Sequence, residues 1–113
     1  MTYQEAQAAF LQMKSAAEGN QELAGFLREL ILLAVRYARA RTDWQLADRE
    51  MRLAMSEARR AAHNAFIDAC NILSRACARH GRPNAWRAAL GEAREDIGDF
   101  ACYLHALLGV MAR

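Results

Sequence analysis

Residues that interrupt helices are scarce in this sequence. Proline occurs once, at Pro83, glycine occurs six times among 113 residues, and neither occurs between Asp43 and His80. Hydrophobic residues make up 54% of the chain and charged residues 25%, a composition that supports a packed core and is atypical of disordered proteins. This composition, poor in proline and glycine, favours helix in almost every segment of the sequence. At this length we predict one all-α domain spanning residues 1–113.

Long apolar runs and paired cysteines are also lacking. The most apolar segment, 23–35, is interrupted by Arg28 and Glu29 and is shorter than the roughly 20 residues that span a bilayer, so we expect no membrane association. Cysteine occurs three times, an odd number, and the sequence opens without a signal-peptide pattern. We therefore predict a cytoplasmic protein without a disulfide framework.

Charge of one sign does not dominate. Fifteen basic residues face thirteen acidic ones, and the net charge of +2 creates no field suited to a polyanion. Nucleic acid is therefore not an expected partner. Fourteen of the basic residues are arginine and one is lysine, Lys14. Because arginine favours fixed, bidentate pairing, we expect structural ion pairs.

Motifs for catalysis and for cofactors are missing as well. The sequence contains neither Gly-x-Ser-x-Gly nor a glycine-rich phosphate loop. It has no Glu-x-x-His motif of the kind that holds di-metal sites in helical bundles. Cys102 and His105 form the one pair spaced to share an ion. We predict no catalytic residue, metal or cofactor, and favour a protein that is not an enzyme.

Acidic residues cluster near the start of the last helical segment, at Glu92, Glu95, Asp96 and Asp99. They suit a helix N-terminus, and we expect them to face a basic rim at Arg52 and Arg59.

Capping residues and helix-breaking residues divide the sequence into helical segments. Thr2 and Glu5 form a capping box, Asn20 can cap a second helix, and Thr42 to Gln45 repeats the capping-box spacing, which predicts a chain reversal near Thr42. The predicted segments are 3–17, 21–40, 43–80, and a last one from Asn84, which either continues unbroken or is divided at Gly91 into 85–90 and 92–112. This is a helical bundle of four to five helices with one long central helix, about 43–80.

An alanine-rich apolar stripe follows the long segment from Trp44 to Ala76 at helical spacing. No other segment matches its length. Either the second and fourth helices cover successive halves of the stripe, or another chain covers part of it. Because an uncovered stripe would be a large apolar patch, we predict a homodimer formed through this helix.

Three polar side chains border the stripe on one face: Arg52, Arg59 and His63. Asp48 lies four residues before Arg52 and can pair with it along a helix. One interpretation is an anion-binding groove in which His63 transfers a proton. The other is a set of rim residues whose stems cover apolar surface while their charges pair with carboxylates.

A second polar stripe lies roughly opposite the apolar one and contains Asn64, Asp68, Asn71 and Arg75. A solvated face explains most of it. Two Asn and one Asp in one helix nevertheless lower its propensity, so a polar contact across a subunit interface is the alternative.

The run from Arg59 to Arg75, RRAAHNAFIDACNILSR, followed by Ile97-Gly98-Asp99-Phe100-Ala101, resembles a family of small bacterial helical proteins of unknown function. The resemblance covers about residues 42–105. It implies a bacterial source, a compact helical fold, and a motif containing His63, Asp68, Arg75 and Asp99. It implies no activity and no catalytic role.

Two hypotheses follow from the sequence. The first is a non-enzymatic interaction or scaffold module that forms a homo-oligomer and has room for a protein partner. The second is an anion- or nucleotide-binding protein, with metal-dependent hydrolysis as its extension. It would use Arg52, Arg59 and His63 against the acidic helix, and its candidate ligand-binding residues are Arg52, Arg59, His63, Asp68, Arg75 and Asp99.

Overall fold

The computed structural model describes residues 1–111 of the chain, and within this range it contains five helices and no strand. The helices are α1 (Tyr3–Ala17), α2 (Gln21–Leu46), α3 (Arg49–Arg79), α4 (Ala85–Leu90) and α5 (Arg94–Met111). The predicted all-α bundle with a long central helix is confirmed. No helix of the described range is both long and apolar enough to cross a membrane.

The boundary between α2 and α3 differs from the sequence prediction. The helix continues past Thr42 to Leu46, and the chain reverses at Ala47 and Asp48, so the predicted reversal near Thr42 is wrong. Asp48 caps α3 because its Oδ1 accepts a hydrogen bond from the amide of Met51 at 2.9 Å. The capping-box spacing at Thr42 does not end the helix, because α2 gains a further turn and Asp48 then provides the cap of α3.

Arg52 stabilises this late end of α2. Its Nε donates to the carbonyl of Trp44 at 3.0 Å, and its Nη2 donates to the carbonyl of Gln45 at 2.8 Å. Carbonyls in the last turn of a helix have no partner within the helix, so these bonds satisfy them. The four-residue spacing had indicated a pair between Asp48 and Arg52. In the structure Arg52 binds these carbonyls instead.

Gly91 separates α4 from α5, as predicted. Its φ of 77° lies in the left-handed region, where glycine carries no Cβ penalty. The new helix begins at Arg94, with Glu95 and Asp96 in its first turn, where carboxylates interact favourably with the helix dipole. The predicted end of this helix at residue 112 lies outside the described residues.

The core is confined to one part of the molecule. It lies between α1, α2, α4, α5 and the C-terminal half of α3, and its largest fully buried side chains include Trp86, Phe66, Phe100 and Met13. At 1.5 Å per residue the 31 residues of α3 span about 46 Å, close to the longest dimension of the molecule, 48 Å. One long helix thus extends well past the core.

The remainder of the α2–α3 pair is a hairpin without a buried residue. The last buried residue of α2 is Ala38 and the first buried residue of α3 is His63, so residues 39–62 contain none. We call residues 39–62 the arm. Other helices cover the apolar stripe of α3 at Ala69, Leu73 and Ala76, whereas its N-terminal half lies in the arm. Of the two alternatives for covering the stripe, cover of both halves by helices of the same chain is therefore not what the structure shows.

Asp48→Ala should destabilise the protein by about 1 kcal/mol, because the amide of Met51 loses its acceptor and α3 loses its cap. The free energy of unfolding from urea titration measures this change. Asp43→Ala is the matched control, since it removes an exposed acid of α2 that caps no helix. An equal loss in both variants would show that the boundary does not depend on the Asp48 cap.

Candidate functional site

Trp44 organises the base of the arm. Its indole N–H donates to Ser56 Oγ at 3.2 Å. The guanidinium carbons of Arg52 and Arg59 lie 4.7 and 4.5 Å from its ring centroid. Each cation–π contact contributes roughly 0.5–1 kcal/mol at a partly exposed site. These contacts hold the Arg59 side chain in one position between α2 and α3.

A stacked pair of rings lies next to this cluster, where the core begins. The rings of Tyr37 and His63 are 4.6 Å apart and nearly parallel. His63 Nε2 lies 2.8 Å from the carbonyl oxygen of Arg94. Because a carbonyl only accepts, Nε2 carries the proton and donates it. His63 therefore attaches the first residue of α5 to α3.

Gly98 lets α5 approach this pair. A Cβ at this position would lie 2.9 Å from Tyr37 Oη and 3.2 Å from His63 Nε2, closer than such atoms normally come. The glycine of the Ile97–Ala101 segment is therefore required by packing. It brings the side chains of α5 to the edge of the arm.

A cavity of about 310 Å³ lies between α2, α3 and the start of α5. We call it the cleft. It is lined by residues from all three helices: Tyr37, Arg41, Trp44, Gln45, Arg59, His63 and Glu95. Its walls are thus two aromatic rings, two guanidinium groups, an imidazole and one carboxylate.

The two arginines of the cleft differ in their partners. Arg41 Nη1 binds Asp99 Oδ1 at 2.8 Å and contacts Cys102 Sγ at 3.7 Å. Arg59 has no hydrogen-bond acceptor and no carboxylate within 4 Å among residues 1–111, although its Nε is buried. Arg59 is thus the arginine of the cleft whose guanidinium group has no bonded acceptor among the described residues.

His63 is 8% exposed. Burial lowers the pKa of His63 below its usual value, the hydrogen bond to the Arg94 carbonyl opposes this change, and the charges of Arg94, Arg59 and Arg41 add to it. Because burial outweighs the hydrogen bond, the lowered pKa favours the neutral imidazole.

The candidate residues separate into two groups. Arg59 and His63 line the cleft, Arg52 lies beside it on Trp44, and Asp99 pairs with Arg41 at its edge. The other two candidates, Asp68 and Arg75, are exposed on α3 beyond the cleft. The structure therefore brings four of the six residues together.

Tyr37, Arg41 and Trp44 belong to the cleft but were not predicted as site residues. Their role depends on α2 continuing to Leu46, which places Trp44 opposite Arg59. An aromatic residue four positions before the helix cap Asp48 was the available signal.

Two asparagines of the polar stripe join α3 to two other helices through hydrogen bonds. Asn64 Oδ1 accepts from Arg94 at the start of α5, and Asn71 Oδ1 accepts from Arg87 of α4 at 2.8 Å. These contacts within the chain explain why α3 contains asparagine despite its low propensity. Asn64, Asp68 and Arg75 are exposed, as the solvated face predicted.

Two of the four acidic residues near the start of α5 have basic partners. Asp99 pairs with Arg41, and Glu92 lies 3.8 Å from Arg87. The acidic helix start faces the predicted rim through Glu95, which lines the cleft together with Arg59. In the part of the chain that the structure describes, no three His, Cys, Asp or Glu side chains are grouped to hold a metal ion.

Comparison with known proteins adds no relative. No family model, curated protein or solved structure matches this chain.

Gly98→Ala should destabilise the protein by about 1–3 kcal/mol, because the added Cβ overpacks against Tyr37 and His63. Gly25→Ala is the control. It lies inside α2, where a Cβ would make an ordinary contact of 3.7 Å with Arg28, so helix propensity should raise stability by up to about 1 kcal/mol. Thermal unfolding of both variants measures the difference, and a stabilising Gly98→Ala would contradict the close approach of α5.

His63 should make stability depend on pH in the acidic range. Its folded-state pKa is lowered, whereas the unfolded chain has a histidine pKa of about 6.5. Below that pH the unfolded chain binds the proton more tightly, so the free energy of unfolding falls as pH falls until the folded-state pKa is passed. Urea titrations across this range measure the slope.

His63→Gln should reduce this slope, whereas His105→Gln, which changes an exposed residue of α5, should leave it unchanged. The same slope in wild type and His63→Gln would show that His63 is not held neutral.

Proposed function

We propose that this protein is a non-enzymatic interaction module that self-associates as a homodimer through the arm. One observation carries the proposal: the 24 residues from 39 to 62 form two helices without a single buried side chain. Helices of globular proteins obtain most of their stability from packing an apolar face. A second protein surface on the arm would provide that packing.

The tip of the arm exposes its largest apolar side chains. Leu46 is 83% exposed, Leu53 is 76% exposed and Met51 is 52% exposed. Single exposed apolar residues are normal on protein surfaces. Three of them within residues 46–53, at the end of a projecting hairpin, form a concentrated patch, and such patches commonly mark interaction sites.

A second copy of the arm suits this surface. Two hairpins packed together make a four-helix arrangement, in which each helix has the neighbours it lacks in one chain. Exposed alanines at positions 54, 58 and 61 allow helices to approach closely. The arm also carries exposed charges of both signs that can form complementary pairs between two copies: Arg39, Arg49 and Arg60 with Asp43, Glu50 and Glu57.

The size of the arm supports a specific dimer. Stable interfaces use about 20–30 residues from each partner and bury about 800 Å² on each, and the arm contributes 24 residues. That area is roughly an eighth of the 6849 Å² surface of the chain. The arm can therefore supply one interface without the core taking part.

The resemblance of residues 42–105 to a small bacterial helical family, which assigns no activity, supports the proposal of a bacterial source. For location we propose the cytoplasm. The three cysteines are free thiols, and burial raises the pKa of Cys70 to about 12, which keeps it protonated. Free thiols are typical of reducing compartments.

Light scattering tests self-association directly. Wild type should show twice the chain mass of 12.7 kDa. Leu53→Glu and Leu46→Glu should each shift the mass toward the monomer, because a charge replaces an apolar side chain in the interface. Both residues are exposed, so stability of the isolated fold should change by no more than about 0.5 kcal/mol.

Leu11→Glu is the matched control, since Leu11 is 56% exposed on α1, outside the arm. It should leave the dimer intact. A wild-type mass of 12.7 kDa at every concentration, or dissociation by Leu11→Glu and not by Leu53→Glu, would overturn the proposal.

A further inference from the structure

We propose that the cleft binds a small organic monocarboxylate, with the carboxylate on Arg59 and the apolar body between Trp44 and Tyr37. Four residues of the cleft, Arg41, Trp44, Gln45 and Arg59, belong to the arm, so the site lies next to the surface proposed for self-association. Its argument uses the side chains of one chain only, so it does not depend on self-association.

The guanidinium group of Arg59 is available to bind an anion. The other two guanidinium groups of this region have acceptors, since Arg41 binds Asp99 and Arg52 binds two carbonyls of α2. Arg59 is half-buried, lies on the Trp44 ring, and donates to no acceptor in the range 1–111. A positioned guanidinium with unused donors matches the two oxygens of a carboxylate.

The charge of the cleft disfavours a dianion. Asp99 neutralises Arg41, and burial holds the pKa of His63 below its usual value, which disfavours its charged form. Arg59 is then the cation without a bonded acceptor, and Glu95 is an exposed carboxylate in the same lining. A dianion such as phosphate would bring two negative charges next to Glu95 against this one cation, whereas a monoanion brings one.

The walls favour an organic ligand. Trp44 and Tyr37 line the cavity next to Arg59. Arg52 and Arg59 lie over the Trp44 ring and His63 stacks on Tyr37, so a flat ligand would contact these rings at their edges. A cavity of about 310 Å³ is at the small end of the range for ligand sites. A carboxylate attached to a single ring therefore combines the charge, shape and size that the cleft presents.

Benzoate is the probe that tests the proposal. The chain contains two tryptophans, so an NMR spectrum of ¹⁵N-labelled protein shows two indole N–H signals, which the Trp44→Phe spectrum assigns. The Trp44 signal should move saturably with benzoate, while the Trp86 signal should not, since Trp86 is fully buried in the core. Benzamide, which has the same shape without the charge, and inorganic phosphate should both bind more weakly.

Two substitutions of neighbouring arginines identify the group that binds. Arg59→Gln should weaken benzoate binding about tenfold or more, as expected for a lost hydrogen-bonded charge. Arg60→Gln makes the same change of net charge at an exposed position and should leave the affinity unchanged within about twofold. Arg59→Lys keeps the charge without the planar fork, and its affinity should lie between those of wild type and Arg59→Gln.

The proposal is overturned if the Trp44 signal does not move with benzoate at concentrations up to about 10 mM. It also fails if benzamide or phosphate binds as tightly as benzoate, or if Arg60→Gln weakens binding as much as Arg59→Gln. Light scattering of Arg59→Gln separates the two proposals, because loss of benzoate binding with an unchanged mass concerns the cleft alone.

Discussion

The close approach of α5 to the Tyr37–His63 pair determines the architecture of this protein. Gly98 allows the contact, and the hydrogen bond from His63 to the Arg94 carbonyl holds the start of α5 there. Beyond this point α2 and α3 contain no buried residue, and α5 contacts them at Arg41 through Asp99. The contact therefore marks where the core ends and the arm begins, and the cleft opens at the same boundary.

The arginines near this boundary are used in three different ways. Arg52 binds the carbonyls that end α2, and Arg41 joins α2 to Asp99 of α5. Arg59 lies on Trp44 without an acceptor. The preference for arginine over lysine in the composition is explained by these fixed geometries, because a planar guanidinium can stack on a ring and donate along defined directions.

The arm and the cleft have a common structural origin. The break at Gly91 delays α5 until Arg94, and the early contacts of this helix are made at the level of His63. A last helix packed further along α3 would have covered both features. The chain instead leaves an apolar tip at one end of the arm and an arginine-lined cavity at its base, which are the two surfaces we propose for binding.

Much of the fold was predictable from local sequence. The caps at Thr2 and Asn20, and the breaks at Gly81 and Gly91, depend on neighbouring residues, and the structure contains each of them. The end of α2 was not predictable in this way. Two capping sites compete there, at Thr42 and Asp48, and Arg52 stabilises the later one through bonds to the previous helix.

The sequence alone determined that the chain is helical, that one helix is much longer than the rest, and that Arg59 and His63 share a face. Periodicity and caps specify these features because they act over a few residues. Only the tertiary structure decided that Arg41 pairs with Asp99, and that Asn64 and Asn71 attach α5 and α4. It also decided that Tyr37 and Trp44 line the same cavity. These contacts join residues far apart in the chain, and the packing of one helix against another selects among several partners that the sequence makes equally available.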